Sequence, residues 1–72
     1  MPEPEMQMVS STNVEAVGYD AAARELYVRF TSGDTYSYSN VEQQTYDALL
    51  TAPSVGSYLN REIKTFHEYR KV

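Results

Sequence analysis

The chain has 72 residues, 42% of them hydrophobic and none of them cysteine, so neither disulfides nor thiolate metal sites can staple it. That length makes one domain, near the lower limit at which a single apolar core holds a fold together. A net charge of −4 opposes phosphate binding, which rests mainly on lysine and arginine, and no apolar run is long enough to span a membrane.

Residues 1–9 hold two prolines, three methionines and two glutamates, the composition of a disordered leader. They lack the basic-then-apolar pattern of a secretory signal, and the absence of cysteine fits a cytoplasmic protein, which is the expectation. The domain proper is expected over residues 10–72. It begins with the polar turn cluster Ser10-Ser11-Thr12-Asn13 and a first strand, Val14 to Tyr19. Two registers are open for that strand: Val14, Ala16 and Gly18 face the core, or Val17 and Tyr19 do. A bulge at Gly18 would let both sets contribute. Asp20 is a turn former whose carboxylate accepts from the amides after it.

Leu26 to Tyr38, LYVRFTSGDTYSY, alternates apolar and polar residues around the turn formers Thr31-Ser32-Gly33-Asp34. A three-residue loop, Thr31-Ser32-Gly33, with Gly33 left-handed, sets Phe30 opposite Asp34, Val28 opposite Tyr36 and Leu26 opposite Tyr38. All five large apolar side chains then share a face. Downstream, Ser39 with Glu42, or Asn40 with Gln43, has the spacing of a capping box. The helix that follows carries Val41, Tyr46, Leu49 and Leu50 and stops before Pro53. A second, capped by Ser54, carries Val55, Tyr58, Leu59 and Ile63 to about Lys64. The tail TFHEYRKV alternates and reads as an extended edge segment or a loose end. The fold class expected is α+β: a three-stranded antiparallel β-meander packed on one face by two short α-helices.

Ser10-Ser11, Gly18-Tyr19-Asp20, Leu26-x-Val28-x-Phe30, Gly33, Tyr36-x-Tyr38, Val41, Leu49-Leu50, Ala52-x-Ser54-x-Gly56-x-Tyr58-x-Asn60 and Ile63 together resemble the KTSC domain, over residues 10–72. That family is named after the C-terminus of some lysyl-tRNA synthetases and also occurs as small stand-alone bacterial and phage proteins. The resemblance implies no established function; RNA binding has been suggested from the synthetase context. The chain departs from the family pattern at Glu42, Leu59 and His67, where proline, phenylalanine and tyrosine are common.

Catalysis has little to stand on. The one histidine, His67, lies in the tail, and no nucleophile elbow, phosphate loop or metal-ligand spacing is present, so neither a metal nor a cofactor is expected. Anion binding has more. Residues 1–60 hold two cations against eight acids, whereas residues 61–72 hold four, Arg61, Lys64, Arg70 and Lys71, against two. Asn60, Arg61 and Lys64 fall within about one helical turn, and Ser54 and Gly56 open a helix whose amides can hold an anion. Ser54, Gly56, Asn60, Arg61, Lys64 and Arg70 are therefore the candidate contacts for RNA or another nucleic acid. The plainer account has Ser54 capping its own helix and Gly56 allowing close packing. Tyr36 and Tyr38 serve either as core residues or as a base-stacking platform; Tyr19 and Tyr69 are further aromatics of unassigned face. The alternative to nucleic acid is a protein partner, including a second copy, bound at a sheet edge or at the uncovered face with Tyr27 and Arg29.

Overall fold

The central hairpin forms as the residue pattern dictates. In the computed structural model, which describes residues 5–9 and 11–72, strands β3 (Glu25–Phe30) and β4 (Thr35–Tyr38) pair antiparallel, Leu26 opposite Tyr38 and Val28 opposite Tyr36. The Gly33 amide donates to the Phe30 carbonyl at 2.9 Å and Phe30 donates to Asp34 at 2.8 Å, closing the three-residue loop. Gly33 takes φ +103°, a conformation that side chains with a Cβ avoid.

Strand β2 (Val14–Asp20) joins the other side of β3, with Val17 opposite Val28 and Tyr19 opposite Leu26. Both candidate core sets of this strand contribute, because the register shifts between Val14 and Ala16. The extra residue sits at Glu15 and not at Gly18, so Val14 returns to the core side opposite Phe30. The Asp20 carboxylate accepts from Ala22 and Ala23 at 3.1 and 3.3 Å and holds the turn into β3.

The sheet has five strands, in the order β1-β2-β3-β4-β5, where three were expected. The first addition, β1 (Gln7–Met8), comes from the presumed leader, Met8 pairing with Ala16, and Val9 packs against the core. A composition rich in proline and methionine conceals a strand this short, since main-chain bonds to β2 hold it and side chains do not. Residues 1–4 of the expected leader, and Ser10 at its boundary, lie outside the described residues. The second addition, β5 (Tyr69–Lys71), makes the tail an ordered edge: Tyr69 faces Tyr38 and Lys71 faces Tyr36.

Helix α1 (Gln43–Thr51) starts later than either capping box requires, and Glu42, its N-cap, makes no side-chain cap bond. The reason lies just upstream. Asn40 turns left-handed at φ 57° and drops Val41 into the core, where its amide donates to Arg24 and its carbonyl accepts the Tyr19 hydroxyl at 2.6 Å. Fixed at both backbone groups, Val41 cannot enter the helix. Helix α2 (Val55–Tyr58) widens into a π-helical stretch, Leu59–Lys64. Leu49, Val55, Leu59 and Ile63 bury themselves against Val14, Val17, Leu26, Val28 and Tyr38, so both helices cover one face of the sheet.

Replacing Gly33 by alanine isolates the cost of the hairpin conformation, because nothing lies within 4 Å of an added Cβ. Equilibrium urea unfolding should show Gly33→Ala destabilised by about 1–2 kcal/mol. An unchanged midpoint would mean the loop tolerates an ordinary residue.

Candidate functional site

The six residues expected to form a basic face do not converge. Ser54 accepts from the Ser57 amide at 3.4 Å, capping its own short helix, and a Cβ on Gly56 would meet Ser11 Oγ at 3.6 Å. Ser54 thus caps as the plainer account has it, while at Gly56 a methyl would sit at ordinary contact distance, so close packing does not require the glycine. The Asn60 main-chain carbonyl accepts from the Thr65 hydroxyl at 3.0 Å, and Arg61 pairs with Glu62 at 3.2 Å. Arg70 pairs with Ser37, which puts it on the uncovered side of the sheet, where it reaches Glu25 at 3.9 Å. The helix-and-tail cations thus point to different sides of the molecule. Ser54 and Arg61 line a shallow concavity beside the α1–α2 connection, and Lys64 faces a second one.

That concavity is a cleft of about 360 Å³ at the hairpin end of the covered face. Phe30, Tyr36, Tyr38 and Tyr69 supply its aromatic lining; Asn13, Ser32 and Asp34 supply polar groups, and Lys64 a cation. The volume falls within the range of about 300–1,000 Å³ usual for small-ligand sites. Its construction follows from strand pairing. The hairpin register sets Phe30, Tyr36 and Tyr38 on one face, and β5 adds Tyr69 beside Tyr38. The rings lock together: Phe30 meets Tyr36 edge-on at 5.6 Å, and Tyr69 tilts against Tyr36 and Tyr38 at 5.7 and 5.4 Å. Main-chain bonds from Ser39 to Glu68 and from Val72 to Thr35, each 2.9 Å, fasten β5 in this position. His67 adds a third fastening, its Nδ1–H donating to the Ser39 carbonyl at 2.9 Å.

Tyr38 is 2% exposed and forms the floor, which makes it a core residue. Tyr36 is half-buried and forms a wall, while Tyr69 remains 48% exposed. The Tyr-x-Tyr motif thus places one ring in the core and one half-buried beside it, and both border the cleft. Tyr19 lies at the other end of the sheet, stacked on Tyr46 at 5.2 Å with its hydroxyl spent on Val41, and takes no part in the cleft. At the rim, Lys71 Nζ lies 3.2 Å from Asp34 Oδ1. Asp34, Asn13, Ser32 and Lys71 were not among the candidates from sequence. The hairpin register alone placed Asp34 beside Phe30, but nothing local brought the N-terminal turn or the tail to it.

The KTSC domain model matches residues 10–69, most of the chain. The chain belongs to the KTSC domain family. A KTSC domain protein from Yersinia pestis, known from its crystal structure, superimposes with a TM-score of 0.88 at 32% identity, covering 94% of this chain and 96% of that one. Among curated relatives, a protein of Tsukamurella paurometabola is 46% identical over 59 residues, 82% of this chain and 88% of its own length. An uncharacterised protein of Stutzerimonas stutzeri is 36% identical over 59 residues, 82% and 83% of the two lengths. These KTSC relatives are themselves small proteins in which the domain takes up most of the length. No helix among the described residues of this KTSC domain is long and apolar enough to cross a membrane.

Burial pushes the Tyr38 phenol up to about 12, and neighbouring Tyr69 and Tyr36 add to the effect. The folded state therefore holds this proton to higher pH than the unfolded chain, whose tyrosines titrate near 10. Stability from this source is whole below about pH 10 and is lost as the pH rises through the folded value. Urea midpoints measured between about pH 9 and pH 12 should fall across that window, and less steeply for Tyr38→Phe. Parallel profiles for the two proteins would remove Tyr38 as the cause.

Proposed function

We propose that this KTSC domain is a non-catalytic binding module whose ligand is single-stranded RNA or another unpaired nucleic acid, held base-first in the Tyr36–Tyr69 cleft. The observation that carries this is the combination of exposed aromatic surface and a lysine in one concavity. Unpaired bases stack on aromatic side chains, each worth about 1–3 kcal/mol, and a cation at the margin meets the adjoining phosphate. Lys64 is the contact retained from the basic face; Arg61 and Arg70 pair with Glu62 and Glu25, and Ser54 caps its own helix. A net charge of −4 fits weak, salt-sensitive binding of a few nucleotides and not a long electrostatic footprint. The sole histidine is committed to a main-chain carbonyl, which accords with a role in holding β5 and not in proton transfer. A protein partner is the second reading, favoured by Phe66 and Val72, 72% and 54% exposed and flanking edge strand β5 in the chain.

The test is an amide NMR titration with a short mixed-sequence single-stranded RNA at low and then physiological salt. Shifts are expected at Asn13, Phe30, Tyr36 and Tyr69. Tyr69→Ala should weaken binding by about 1–3 kcal/mol, and Lys64→Glu should reduce both affinity and its salt dependence. No shifts at low salt would overturn the reading. Loss on Arg61→Glu equal to that on Lys64→Glu would move the site to the helical surface. Concentration-dependent mass in the absence of RNA would favour the protein partner.

A further inference from the structure

We infer that the cleft selects guanine, through the Asp34–Lys71 ion pair at its rim. This rests on the reading that an unpaired base enters the cleft. A base stacked on Tyr69 or Tyr36 presents its edge to whatever polar groups stand beside those rings. Here they are the Asp34 carboxylate, which lines the cleft, and the Lys71 ammonium, 3.2 Å from its Oδ1. Lys71 faces Tyr36 across the β4–β5 ladder, so its side chain runs along that ring to the hairpin loop. The pair is open to solvent, with the two side chains 62% and 45% exposed for Lys71 and Asp34. A carboxylate has about four lone-pair sites and an ammonium three hydrogens, so their mutual bond leaves both with capacity for a ligand.

Side by side, the two groups present one donor and then two acceptors. Guanine's Watson–Crick edge is the complement: the O6 acceptor, then the N1–H and N2–H donors. The other bases mismatch this order. Uracil offers one donor flanked by two acceptors, adenine an amino donor beside an unprotonated nitrogen, and cytosine an amino donor beside two acceptors. Uracil sets a lone pair against the carboxylate, while adenine and cytosine satisfy only the ammonium and one carboxylate acceptor, so guanine alone fills all three positions. The same arrangement serves a guanine carried on a strand and one carried on a free nucleotide.

The experiment compares the RNA pentamers UUGUU, UUAUU, UUCUU and UUUUU, together with GMP and AMP, by NMR titration of the whole chain at low salt. UUGUU should bind about fivefold to tenfold more tightly than the other three. Asp34→Asn should erase that preference, and an amide spectrum otherwise unchanged would show that the fold is intact. GMP binding as well as UUGUU, and better than AMP, assigns the guanine to a free nucleotide; a clear advantage of the pentamer assigns it to a strand. Equal affinities across the pentamers, or a preference that survives Asp34→Asn, overturn guanine selection while leaving base binding in place. Absence of any binding overturns both.

Discussion

The register of the β3–β4 hairpin is the constraint on which the rest of the molecule depends. Gly33 in its positive-φ conformation gives a loop of three residues, and three residues place Leu26 and Val28 across from Tyr38 and Tyr36. Because side chains alternate, a slip of one residue would send both tyrosines to the far face. The helices would then lose the floor they pack on, and the cleft its walls. Everything outward of the hairpin repeats the choice it makes: Val17 and Tyr19 follow Val28 and Leu26, and Tyr69 and Lys71 follow Tyr38 and Tyr36.

Much of this was legible from local pattern. Alternation in β3 and β4, the turn chemistry of Gly33 and Asp20, and the apolar stripe of Leu49, Val55, Leu59 and Ile63 each act over a few residues, so the sequence displays them. What escaped involves partners far apart in the chain. The start of α1 was misjudged because Ser39, Asn40 and Glu42 carry good capping spacing, whereas Arg24 and Tyr19 hold Val41 in place from another strand. Strand β1 escaped for the same reason, since two residues of edge strand have too little pattern to register on their own, whereas the alternation of the tail left an edge strand open as one of two readings. The cleft draws on Asn13, the hairpin loop, Lys64 and the tail, which only the finished topology assembles.

The distribution of charge shows how weak a guide a cation-rich segment is without its fold. Residues 61–72 carry four of the six basic residues, yet β5 and the π-helical stretch turn them in different directions. Arg61 meets Glu62, Arg70 meets Glu25 and Lys71 meets Asp34, at 3.2 to 3.9 Å. Exposed pairs of this kind add about 0–1 kcal/mol each. Their larger effect is on orientation, since each removes a cation from any common anion-binding surface and fixes where its side chain rests.

Because the sheet runs in strict chain order, its two ends are also its least supported parts, and β5 is one of them. Only three residues long and exposed throughout, it is held on one side by β4 and open on the other. Opening of such a segment needs far less free energy than global unfolding. Yet β5 contributes Tyr69 to the wall and Lys71 to the rim. The cleft is therefore complete only in that fraction of molecules whose last strand is closed, and any ligand that fills it must draw this terminus toward the closed state by mass action. Slowed hydrogen exchange at the β4–β5 amides would then report occupancy of the cleft, even though most of those amides never touch the ligand.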